Sequence, residues 1–276
     1  MALKPLGALA ATALACATWA VAIEPLWLEK RELEVPFPGL PRALDGIRLG
    51  FLSDLHAGSW APREHYLRAV RILARAGVDV LLLAGDIAGH RAGQTWKEVL
   101  APLAGLEPPL GRLAVLGGHD HRFNAPAVAH HLQSLGYTVL RNQAVPLLRG
   151  DQALWVVGLD DNSDLPGRHD FNKACREVPA GAPGLLLAHS PDAVMEASRR
   201  GLGLVLSGHT HGGQVRLPWW GSLLRVTELP RRYDQGLSRH GDTHLFVSRG
   251  LASTYRLRFC CRPDVTVLTL RSAPRA

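Results

Sequence analysis

The chain has 276 residues, 47% hydrophobic and 20% charged, a balance that excludes a disordered polymer and suffices for a substantial buried core. Its 31 basic and 24 acidic residues leave a net charge of +7, which suits an anionic substrate, a membrane surface or nucleic acid without selecting among them. Four cysteines (Cys16, Cys175, Cys260 and Cys261) have the spacing of neither a zinc knuckle nor a disulfide framework.

Residues 6–23 carry no charge, with Lys4 before them and Glu24 after. About 18–20 apolar residues is the lower limit for spanning a bilayer. The stretch is therefore expected to be a single-pass membrane anchor, with a cleaved signal peptide and a buried helix as the competing readings. The flanking charges leave the membrane face open. Residues 24–46 hold Pro25, Pro36, Pro38 and Pro41 and read as a linker containing a short strand over 32–35. A single domain is expected over 47–276.

From residue 47 strand and helix signals alternate. Strands are predicted over 47–52, 78–83, 112–116, 137–140, 144–148, 154–159, 185–187, 202–206, 244–248 and 265–270. Helices are predicted over 62–76, 95–103, 125–135, 171–178 and 191–200. Pro62 and Gly77 suit the start and stop of the first of these. The continuous apolar run Val80-Leu81-Leu82-Leu83 reads as a strand covered on both faces. The alternation implies an α/β protein with some antiparallel pairing.

Five of the buried strands end in Asp or His. Asp54 and His56 follow the first, two residues apart, so an extended backbone would aim both at one point. Gly85-Asp86 follows the second, and Gly117-Gly118-His119-Asp120-His121 the third. His189 follows a fourth, and Gly208-His209-Thr210-His211 a fifth. Open α/β sheets place ligands beyond the carboxyl ends of their strands. Taken singly, a Gly-Asp is a turn and a lone His a core residue. Together, these groups would be desolvated without partners unless cations bind them. Mixed Asp and His ligands without thiolate suit manganese, iron, zinc or nickel, and there are more of them than one ion can hold. Paired ions catalyse in-line displacement at phosphorus.

The series Asp54-x-His56, Gly85-Asp86, Gly117-Gly118-His119-Asp120, His189 and Gly208-His209-Thr210-His211 resembles the calcineurin-like metallophosphoesterase superfamily in order and spacing. The run from Ser207 to Val215 is similar to its small, membrane-anchored bacterial branch. That branch includes enzymes similar to the pyrophosphohydrolase that cleaves UDP-2,3-diacylglucosamine in lipid A synthesis. The resemblance implies a sandwich of two mixed β-sheets flanked by helices, and two divalent ions, manganese foremost. It implies that Asp54, His56 and His211 bind one ion, Asp86 bridges, and His189 and His209 bind the other. It also implies that His119 stabilises the transition state or protonates the leaving oxygen, with Asp120 orienting its ring.

One position departs from the family pattern: Gly118 stands where the family has an asparagine that binds metal and phosphate. His121, Asn124 and Asn162 are candidates to compensate, and Gly118, His121 and Asp161 are placed on the substrate side. The implied activity is hydrolysis of a phosphoester or pyrophosphate in a phosphorylated small molecule or lipid. A metal-binding module that has lost turnover through Gly118 is the first alternative, and a nuclease the second. Nucleic acid is not the expected partner, because the chain shows no basic arm for a duplex.

Overall fold

The computed structural model describes residues 3–89, 92, 93, 95–161 and 168–274, so Asn162 lies outside the described residues. Helix α1 (Leu3–Thr18) continues through a π-turn at Trp19–Ile23 and a tight turn at Glu24–Leu26 into strand β1 (Glu29–Pro38). Then come β2 (Arg48–Leu52), α2 (Arg63–Ala76), β3 (Val80–Ala84), α3 (Trp96–Leu100), β4 (Arg112–Val115), α4 (Gly118–Phe123), α5 (Ala125–Ser134) and β5 (Thr138–Val139). The second half holds β6 (Gln143–Arg149), β7 (Gln152–Gly158), α6 (Phe171–Ala174), β8 (Gly184–Leu187), α7 (Val194–Arg199) and β9 (Leu204–Ser207). A small hairpin of β10 (Arg216–Leu217) and β11 (Gly221–Ser222) follows, then β12 (Gly236–His240), β13 (Thr243–Val247) and β14 (Asp264–Ala273).

The strands form two six-stranded mixed sheets, ordered β1-β14-β2-β3-β4-β5 and β12-β13-β9-β8-β7-β6. This is the sandwich flanked by helices that the resemblance implied. Strand β3 explains the layering. All five residues are buried; Val80, Leu82 and Ala84 face the second sheet, while Leu81 and Leu83 face α2, α3 and α5. Each fully buried leucine contributes about 1.5–3 kcal/mol. Between the sheets Phe51 meets Phe246 edge to face, with ring centroids 5.8 Å apart.

Helix α2 buries Tyr66, Ala69, Val70 and Leu73, a one-faced stripe, and stops where Gly77 turns left-handed at φ 62°.

Residues 24–46 are tied into the fold and do not hang as a linker. Strand β1 pairs in parallel with β14 from Glu29 opposite Asp264 to Pro38 opposite Ala273. The strand expected over 32–35 is thus ten residues long. Its prolines are tolerated because it is the sheet's edge. Helix α6 is shorter than the 171–178 expected, and α4 was not anticipated.

Candidate metal centre

Strands β2, β3 and β4 run parallel in one sheet and β8 and β9 in the other, so their carboxyl-end loops meet at one rim of the sandwich. The backbone does not stay extended there. The ladder of β2 ends at Leu52, and Asp54 and His56 adopt φ of 50° and 43°. Their convergence comes from left-handed turns and not from the pleat. The turns are held by the neighbouring loop: the N–H groups of Asp54 and His56 donate to the carbonyls of Gly85 (3.0 Å) and Asp86 (2.9 Å). Asp86, His209 and His211 are also left-handed, at 49°, 69° and 51°. Such backbone costs about 1–3 kcal/mol per residue and gathers at functional sites. Glycines make room around it. A Cβ on Gly208 would collide with the Asp54 carboxylate, and one on Gly250 (φ 77°) would lie 2.8 Å from the Asp54 Cβ.

Three groups of side chains bring one ligand atom each within 4.8 Å of the others: Asp54–His56–His211, His56–Asp86–His119 and Asp54–Asp86–His189. Asp86 is central. Its Oδ1 accepts from the His119 backbone N–H at 2.9 Å, while Oδ2 lies 3.6 Å from His56 Nε2 and 3.4 Å from His189 Nε2. His189 donates from Nδ1 to the Ala84 carbonyl at 2.9 Å, which turns Nε2 inward, where it makes no hydrogen bond. A second-sphere carbonyl fixing the tautomer in this way is usual for metal-ligating histidine. His56 and His211 face each other, Nε2 to Nε2, at 3.3 Å.

The electrostatics fit a cation. Burial pushes His56 down to about 3 and His211 well below its ordinary value, so both rings are neutral donors. Burial also raises Asp54, and the charge of Asp86 adds to it. Asp86 and His189 are the exception. Burial opposes charge on both, yet their mutual attraction holds Asp86 well below and His189 well above the usual range. An inward imidazole nitrogen and two buried carboxylates crowded together are a fitting donor set for divalent metal.

The family model for calcineurin-like phosphoesterases matches residues 47–213, which carry this cluster through His211. The chain belongs to that family. The uncharacterized metallophosphoesterase YkuE of Bacillus subtilis (strain 168) is 32% identical over 274 residues, 96% of this chain and 94% of that protein. Phosphodiesterase YaeI of Escherichia coli (strain K12) is 33% identical, covering 81% and 82%. The UDP-2,3-diacylglucosamine pyrophosphatase LpxG of Chlamydia trachomatis serovar D is 26% identical, covering 91% of each chain. This calcineurin-like phosphoesterase is accordingly a metal-dependent hydrolase of phosphoester bonds, from a family that binds a dinuclear metal centre.

The remaining predicted residues divide. His209 sits beside His189, ring centroids 5.0 Å apart, but its Nε2 is taken by the Val226 carbonyl at 3.1 Å. Its backbone N–H donates to both Asp54 oxygens at 3.1 Å. Asp120 does not orient the His119 ring. As the third residue of α4 it reaches back to the N–H of Gly117 (2.9 Å) and across to those of Ile87 (3.1 Å) and Ala88 (2.8 Å). Burial and then the Asp86 charge push it up to about 7. His121 pairs with Asp160 at 2.7 Å, and Asn124 caps α5, so neither points into the centre. Gly118 is buried at the start of α4, and buried Asp161 lines a cavity of about 860 Å³ that opens at His189 and His209.

The arginines that reach this cavity are Arg199 and Arg225. Four other arginines are engaged elsewhere: Arg231 lies over Trp220, Arg232 over Tyr233, Arg256 over Trp60, and Arg249 pairs with Glu29 and Asp264. Arg258 was the least legible. It is fully buried beneath the site, and its guanidinium donates to the carbonyls of His211 (3.3 Å), Gly250 (3.4 Å) and Ala252 (2.7 Å). Only the backbone path around it reveals that role.

Proposed function

We propose that the chain is a membrane-tethered phosphoesterase holding two divalent cations, manganese foremost. Its substrate on this reading is a lipid-linked or nucleotide-sugar phosphoester or pyrophosphate resembling UDP-2,3-diacylglucosamine. The observation that carries the reading is the overlap of the three ligand groups, in which Asp54, His56 and Asp86 each serve twice. Asp54, His56 and His211 would hold one cation, Asp86 would be shared, and His189 with His209 would hold the other. Bound there, the pair acidifies water and neutralises charge on the phosphoryl group.

His119 is 21% exposed at the side chain whereas Asp86 and His56 beside it are buried, so its imidazole is open to a leaving oxygen. It supplies a proton from Nε2, which lies 4.0 Å from Asp86 Oδ2. The cavity beyond His189 joins Arg199 and Arg225 to apolar Phe171, Met195 and Val226, a lining suited to a substrate with both charge and apolar surface. The likeness to LpxG supports the substrate class. The 20-residue apolar helix Gly7–Leu26 supports the tether, which confines the enzyme to membrane substrates. If that segment is cleaved, the domain is exported without it.

Gly118 favours a second reading, a degenerate centre that binds metal without turnover. Elemental analysis, combined with turnover of a nitrophenyl phosphomonoester, a phosphodiester and UDP-2,3-diacylglucosamine, separates the two. The enzyme reading expects about two ions per chain and the highest kcat/KM on the pyrophosphate. A folded, metal-loaded chain that turns over none of the three leaves only the degenerate centre.

A further inference from the structure

Residues 214–227, which include the β10–β11 hairpin, contain no acidic residue and display Leu217, Trp219, Trp220, Leu223, Leu224 and Val226 to solvent. Trp219 is 103% exposed and Trp220 64%. Trp219 also takes a left-handed φ of 63°, unfavourable backbone for a bulky side chain. A soluble surface does not call for such a display, and a run of exposed large apolar residues marks an interaction site.

The place of the hairpin decides what covers it. Its root pairs with the segment beside Arg258: Phe259 N–H donates to Gln214 O (3.0 Å) and Arg216 N–H to Phe259 O (2.9 Å). That same segment holds the end of the apolar N-terminal helix, with Arg258 N–H on Ala20 O (2.8 Å) and Cys260 N–H on the buried Glu24 carboxylate (3.1 Å). Two strand spacings, roughly 10 Å, thus separate hairpin root and helix exit. Trp19 and Trp27 stack edge to face at that exit, the position of an interfacial aromatic belt. Arg216, Arg225, Arg231, Arg256 and Arg262 surround the hairpin and the exit, a charge suited to anionic headgroups. At its other end the segment supplies Arg225, Val226 and Thr227 to the cavity wall, and Val226 holds His209.

The geometry points to the hairpin as a second membrane contact, inserted at the bilayer interface beside the anchor, so that the mouth of the His189–His209 cavity lies on the lipid surface. This rests on the tethered reading above. The hairpin is the wall past which a lipid-linked phosphate enters sideways while its acyl chains remain in the bilayer.

The test uses the full chain reconstituted in vesicles of phosphatidylcholine and phosphatidylglycerol, with and without brominated acyl chains. The wild type is compared with Trp219→Phe/Trp220→Phe, a change at exposed positions that leaves the core untouched. The emission lost in the double variant belongs to the hairpin. That difference emission is expected at short wavelength and is expected to be quenched by the brominated chains. A chain that floats with the vesicles while its difference emission stays unquenched and at long wavelength overturns the hairpin contact alone. A chain that does not float with the vesicles overturns both the tether and the contact.

Discussion

The two sides of the metal centre are built differently. The side made by Asp54, His56 and Asp86 is sealed: the three are buried, backbone hydrogen bonds clamp their loops to each other, and Gly208 and Gly250 leave no spare volume. The side made by His189, His209 and Asp161 opens onto a cavity of about 860 Å³, and His209 is held by the Val226 carbonyl, from the solvent-exposed segment after the β10–β11 hairpin. The sealed side fixes where charge is bound, and the open side determines what enters. Loops clamped to one another at the sheet ends carry the first task and a solvent-exposed loop the second.

The sharpest way to break this contrast is at Asp86, which belongs to both sides. Asp86→Asn keeps the shape but removes the charge that His56, His119 and His189 surround. A fall in kcat/KM on the order of 10³-fold is expected, together with loss of metal from both positions, since on the proposed reading Asp86 is the carboxylate that both ions would share. Steady-state kinetics and elemental analysis read it. Retention of one full equivalent of metal would show that the two sides are independent.

Most of the sealed side was legible because its residues follow buried strands at fixed intervals. The apolar run from Val80 announces a central strand, and Asp86 must then lie at its carboxyl end. The left-handed turns at Asp54 and His56 were not legible. They arise from hydrogen bonds to Gly85 and Asp86, residues some thirty positions away. The role of Asp120 was misread for a similar reason: its partners are backbone N–H groups, which sequence does not distinguish. On the open side Arg199, Arg225 and the closure by Val226 depend on how distant loops fold over the rim, and no local spacing encodes that. Strand β1 was half seen, because its pairing partner lies at the far end of the chain.

Gly118 tests the contrast at the second metal position. By the resemblance, an asparagine here would offer an oxygen to metal and an amide to phosphate, and glycine offers no side chain for either. If this gap limits the second position, Gly118→Asn raises second-site metal affinity and kcat/KM by about 10- to 100-fold, the usual effect of one ligand-orienting group. Isothermal titration with Mn²⁺ alongside initial rates measures both. An unchanged rate with two ions already bound would mean that the pocket compensates, and the degenerate reading would lose its basis.

The smallest expected effect concerns the sealed side as a piece of the fold. His65 on α2 is buried, its Nε2 donating to the Leu251 carbonyl at 2.8 Å, next to the Ala252 N–H that braces Asp54 O. Burial lowers its pKa to about 4. The unfolded chain, with His65 near 6.5, binds a proton that the folded chain refuses between those values. Stability contributed by the neutral ring is therefore complete above pH 6.5 and declines as pH falls toward 4. From pH 7 to pH 5 this one group accounts for a loss of about 2 kcal/mol. Urea denaturation at the two pH values, on wild type and on His65→Gln, isolates the term: the variant starts less stable and has the shallower slope. Should both chains lose stability in parallel, the titrating group lies elsewhere, with His56 or His211, whose buried rings are also held neutral.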